Sequence, residues 1–88
     1  MSKCNAVKYL QQKSTEHGKI AELASVALVV VGNINKSGMT AEDIEYLHDI
    51  VGHIYLEGGV EILNFIRSEA PDCDICAALV AQIDSLVS

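Results

Sequence analysis

The chain has no tryptophan, one phenylalanine, three tyrosines and a single proline. With so few aromatics, a core must be assembled from Leu, Ile, Val and Ala. One proline and six glycines leave few positions for tight turns, which argues against a β-sandwich with its frequent turns. Basic residues are also scarce: six Lys and Arg face twelve Asp and Glu, for a formal net charge of −6. That balance opposes binding to nucleic acid or to an anionic membrane through a basic patch. It leaves a basic partner protein open.

The N-terminal residues, MSKCNAVKYLQQK, lack the apolar core of a signal peptide. The apolar run LASVALVVV (23–31) is far shorter than the roughly 20 residues needed to span a bilayer. A cytoplasmic protein without membrane contact is expected, its three cysteines (Cys4, Cys73, Cys76) held as reduced thiols. Half the residues are apolar and a fifth are charged, which excludes disorder. Eighty-eight residues make one domain, 1–88, near the lower limit for a self-sufficient core.

Along the chain, apolar residues recur at three- and four-residue steps, the signature of an amphipathic helix. Val7 and Leu10 open the pattern, and Ile20, Leu23, Ala27, Val30 and Ile34 extend it. Gly18 interrupts it, as a break or as a bend. GNINKSG (32–38) reads as the connecting loop. Thr40 then reads as an N-cap, with Glu42 and Asp43 in the first turn where the helix dipole favours acids. Ile44, Leu47, Val51 and Ile54 form the next stripe, continued by Ile62 and Phe65 beyond a Gly58–Gly59 pair. Pro71 ends that segment. A last helix, from Asp72 or Asp74, carries Ile75, Leu79, Ile83 and Leu86. The fold class is all-α: a small antiparallel bundle made of a long helical hairpin and a shorter C-terminal helix.

If unbroken, the segments 4–32 and 41–69 are each about 43 Å long, and the third helix about 24 Å. The third helix then covers only about half of the hairpin. The bare half holds Leu28, Val30, Val31, Leu47 and Ile54, and its exposure predicts a homodimer through those residues. A chain that breaks at Gly18 and at Gly58–Gly59, folding into five short helices as a compact monomer, is the rival arrangement.

Two constellations carry candidate chemistry. In PDCDIC (71–76), Cys73 and Cys76 have the spacing of a redox or metal motif. Asp72 and Asp74 beside the thiols would raise their pKa, no second Cys pair exists, and although Cys4 and His17 could approach, nothing in the spacing requires it. At helical spacing the stretch reads instead as a helix start with thiols packed as small hydrophobes. The second constellation is Glu45, Asp49, His53, Glu57 and Glu61, at strict four-residue steps that align side chains on one helical face. No Glu-x-x-His pair on facing helices accompanies it, so a di-metal site is not indicated. The stripe reads as a solvated face or as a surface for a basic partner.

No nucleophile–base motif or phosphate-cradling loop is present. The expectation is therefore a protein that is not an enzyme and needs no cofactor or metal. It acts by binding another protein, as an inhibitor, adaptor or regulatory subunit, through Glu45, Asp49, His53, Glu57 and Glu61. Small size and acidity also suit the inhibitors that phages and mobile elements carry. Two alternatives compete: a thiol or metal module on Cys73 and Cys76, and a nucleic-acid mimic whose acidic stripe imitates phosphates.

Overall fold

A computed structural model describes residues 5–16 and 18–87. All regular structure among them is helical: α1 (Ala6–Ser14), α2 (Lys19–Ser37), α3 (Ala41–Leu56), α4 (Glu61–Glu69), a 3₁₀ turn (Ala70–Asp72) and α5 (Asp74–Val87). The long segments expected from the apolar periodicity are broken in two places. Gly18, with φ 82°, precedes α2, and Gly58, with φ 108°, follows α3. Both are left-handed backbone conformations that side-chain-bearing residues rarely adopt. At the second break Gly59 donates its N–H back to the Ile54 carbonyl at 2.9 Å.

The intervening loop is shorter than expected. Residues 32–37 of GNINKSG continue α2, and only Gly38, Met39 and Thr40 connect it to α3. Composition alone favoured a loop there, but Val30, Val31 and Ile34 keep one face of α2 in the core and hold the helix through to Ser37. Thr40 does cap α3, its Oγ1 accepting the Asp43 N–H at 3.2 Å. Glu42 and Asp43 lie in the first turn.

Because the long segments are broken at Gly18 and Gly58, one chain covers its own apolar stripe. α1 packs on α2, α2 on α3, and α3 on α4 and α5. Ala24 and Ala27 bring α2 close to its neighbours; Val31, Leu47, Ile50, Val51, Ile54, Ile62 and Ile66 fill the middle. The extents are 32 × 29 × 22 Å and the radius of gyration is 11.9 Å. A compact chain of this length has a radius of about 12 Å.

The residues expected to form a dimer interface therefore lie elsewhere. Val30, Val31, Leu47 and Ile54 are buried within the single chain, and Leu28 is half-buried against the same core. The expectation rested on straight 43 Å helices, and the glycine breaks remove that geometry. α2, with a mean hydropathy of 1.2, is long and apolar enough by composition to cross a membrane. Here one of its faces supplies five core residues.

Candidate functional site

α3 buries Ile44, Leu47, Ile50, Val51 and Ile54. Helical geometry therefore turns Glu42, Glu45, Tyr46, Asp49, His53 and Leu56 outward, and all six are exposed. Leu56 is 79% exposed and Tyr46 52%. The sequence of α3, AEDIEYLHDIVGHIYL, contains four carboxylates and neither Lys nor Arg. Its exposed acids, from Glu42 to Asp49, span about 11 Å at 1.5 Å per residue. This face combines negative charge with an accessible aromatic ring and an accessible leucine.

The acidic stripe expected over 45–61 is not one surface. Glu45, Asp49 and His53 share α3, whereas Glu57 is its C-cap and Glu61 begins α4 beyond the Gly58 turn. Four-residue spacing aligns side chains only while the helix continues, and this helix stops at Leu56. Glu61 has a different neighbourhood. Its carboxylate accepts from Lys13 Nζ at 2.6 Å and from the Tyr9 hydroxyl at 3.2 Å. Tyr9 stacks on Phe65, with ring centroids 4.3 Å apart, and Lys13 Nζ lies 5.5 Å from the Tyr9 ring centroid. Lys13 also pairs with Glu16 at 3.2 Å.

Each member of this group shifts another. The hydrogen bond from Lys13 holds the Glu61 carboxyl below its usual range, and the bond to Glu61 raises the Lys13 ammonium. Burial, followed by the nearby Glu61 charge, pushes the Tyr9 hydroxyl up to about 12. The cluster fastens α1 to α4. Sequence reading passed over Tyr9 and Lys13, although their spacing of four matches that of Glu61 and Phe65.

The PDCDIC stretch is a helix start. Cys73, extended at φ −138° and ψ 114°, immediately precedes α5. The Cys76 N–H donates to Cys73 Sγ at 3.4 Å, and the Ala77 N–H to the Cys73 carbonyl at 2.8 Å. The first cysteine thus occupies the place of an N-cap residue, whose side chain accepts from the third helical N–H. Cys76 faces the core beside Leu79, and burial, with Glu69 adding to it, pushes its thiol up to about 11. Cys73 is also buried and is held in a disulfide. That corrects the expectation of three reduced thiols. Cys4 and His17, the residues considered as further ligands, lie outside the described residues. Among the described residues, no three His, Cys, Asp or Glu side chains gather where they could hold a metal ion.

The chain matches no protein family, no curated protein and no solved structure. A cavity of about 30 Å³ is lined by apolar side chains of all five helices, with Tyr9 and Cys76 among them. It has room for about one water molecule.

The raised Cys76 and Tyr9 groups set a direction for pH dependence. Each keeps its proton in the folded chain at a pH where the unfolded chain has lost it. The folded state then binds more protons, so stability falls as pH rises. The window runs from pH 9.0 to about 11 for Cys76 and from 10.0 to about 12 for Tyr9. Urea midpoints should be flat near neutrality and decline through this alkaline range. Midpoints that stay constant up to pH 11 would contradict the burial of both groups.

Proposed function

We propose that this protein is a non-enzymatic interaction module that binds a basic surface of another protein through the exposed face of α3. It serves as an inhibitor, adaptor or regulatory subunit and requires no cofactor. The observation that carries this reading is the composition of the face. Glu42, Glu45 and Asp49 surround the exposed Tyr46, and Leu56 stands at the end of the helix beyond His53, with neither Lys nor Arg on α3. Aromatic side chains are favoured anchors at protein interfaces. A surrounding field of one sign steers a partner of the other sign and fixes its register.

The contact set is narrower than the five-residue stripe. Glu45, Asp49 and His53 lie on this face with Tyr46 and Leu56, whereas Glu61 is engaged by Lys13 within the chain. Any homodimer is likewise confined to exposed apolar side chains such as Val26, Val29, Leu56 and Val60, since Val30, Leu47 and Ile54 are already covered. A cytoplasmic location forms part of the proposal. In a reducing cytoplasm it requires the disulfide at Cys73 to form and break with the redox state.

Charge reversal on α3 tests the reading. Glu45→Lys with Asp49→Lys should leave the urea midpoint nearly unchanged, because exposed helix charges contribute only tenths of a kcal/mol. The same double variant, used as bait in extracts of the native host, should lose at least about tenfold of the specifically captured partner. That loss corresponds to about 1.4 kcal/mol of binding. Capture by the unaltered chain should also weaken as salt is raised. Equal capture by both baits, or no specific partner for either, would refute the proposal.

A further inference from the structure

Gly52 stands inside α3, where a glycine weakens a helix relative to alanine. Packing within the chain does not account for it. Apart from its chain neighbours and the helix's own backbone, no atom lies within 4 Å of where its Cβ would stand. Gly59 differs, since a Cβ there meets Ile54. A glycine whose open side is unused by its own chain leaves room for close approach from outside.

That open side faces a groove of about 170 Å³. His48, Val51, Gly52 and Tyr55 line it from α3, Leu63 from α4 and Ile83 from α5, and its accessible lining is almost wholly apolar. A cavity of about 150 Å³ is enough for a benzene ring, so the groove takes an apolar side chain.

The groove adjoins the acidic face. Along the helix surface, His48 and Tyr55 lie to one side of Gly52, and Glu45, Asp49 and Leu56 to the other. α4 has one Lys or Arg, Arg67, which pairs with Asp84 of α5 at 3.2 Å, and α5 has none. Apolar depth and negative charge thus stand side by side, with Gly52 between them.

We infer that the groove is the apolar half of the docking face and that its occupant is a basic amphipathic helix of the partner. One apolar side chain of that helix sits beside Gly52, and its lysines or arginines lie over Glu45 and Asp49. The inference rests on the reading of α3 as the partner-binding face and adds the partner's chemistry to it. An amphipathic helix carries apolar and charged residues on adjoining faces, which is the order the groove and the acids present. Helix axes come closer where the contact residue is small, and Gly52 supplies that contact. A second copy of this chain does not fit, because its α3 would bring like charge onto Glu45 and Asp49.

The test titrates the full chain, isotope-labelled for NMR, with two synthetic helical peptides of equal length and charge. Both carry lysines along one face; the adjoining face holds leucines in one peptide and alanines in the other. The leucine peptide should bind at least about tenfold more tightly and shift the Gly52 amide and the Leu63 and Ile83 methyl signals. Gly52→Leu and Gly52→Gln should keep or exceed the thermal midpoint of the unaltered chain. Both should reduce the leucine peptide to the affinity of the alanine peptide. Glu45→Lys with Asp49→Lys should weaken both peptides. Equal affinity of the two peptides for the unaltered chain would overturn the groove while leaving the acidic face in place. Full binding of the leucine peptide to both Gly52 variants, or signal shifts confined to other helices, would do the same. Absence of binding by either peptide, or binding indifferent to the charge reversal, would overturn the groove and the acidic face together.

Discussion

Ile54→Ala is expected to lower the unfolding free energy by about 2–5 kcal/mol, the range for deleting a buried isoleucine where the surroundings relax only partly. Ile54 is 0% exposed and has two duties. Its side chain belongs to the buried core and lies against Gly59. Its carbonyl accepts the Gly59 N–H, so the same residue anchors the turn between α3 and α4. Small domains are typically stable by only about 5–15 kcal/mol, so the variant should lose a large share of its cooperativity margin. Leu56→Ala, two residues on and largely exposed, provides the control and should stay within about 0.5 kcal/mol. Urea denaturation of both variants checks the contrast. Equal, small effects would mean that Ile54 is not a core residue.

The second large effect is expected at the glycine pair, where even the sign is informative. In a continuous helix, replacing Gly58 or Gly59 with alanine stabilises by about 0.5–1 kcal/mol each. With the helix broken at this turn, both replacements should destabilise. An alanine Cβ at Gly59 would meet Ile54 Cγ2 at 2.7 Å and the Ile54 carbonyl oxygen at 3.0 Å. Such overpacking costs about 1–3 kcal/mol. At Gly58 there is space for a Cβ, but φ 108° imposes backbone strain, again of about 1–3 kcal/mol. Thermal and urea unfolding of the two single variants should show losses by these two separate mechanisms. A gain in stability at both positions would establish a continuous helix from Ala41 to Glu69.

These two positions also mark the limit of what the sequence discloses. The apolar steps from Ile44 to Phe65 identify a helical stripe correctly, but periodicity continues across Gly58–Gly59 without recording that the axis turns there. Two adjacent glycines are equally compatible with a kink and with a break. The decision rests on the Gly59–Ile54 hydrogen bond and on the packing of α4 against α3 and α5. GNINKSG shows the opposite error, since its loop-like composition is overridden by the burial of Val30, Val31 and Ile34, which carry α2 to Ser37.

The candidate site was legible in the same uneven way. Glu45, Asp49 and His53 share an exposed helical face, as their spacing requires. Glu61 follows the same arithmetic but lies across the turn, where it pairs with Lys13. No local pattern reveals that partnership, because residues 13 and 61 meet only in the folded chain, where Tyr9 also stacks on Phe65. Thr40 and the start of α5 were readable because capping is a local matter of side chain and backbone.

That a single chain buries its own apolar stripe is tested most directly by sedimentation equilibrium at micromolar concentration, run on the unaltered protein and on Val30→Asp. Val30 is only 6% exposed within the chain, and a carboxylate buried there without a partner is strongly destabilising. The expected result is a mass near 9.5 kDa for the unaltered protein and an unfolded or aggregated Val30→Asp variant. A mass of twice that value, falling to a well-folded monomer on Val30→Asp, would contradict it.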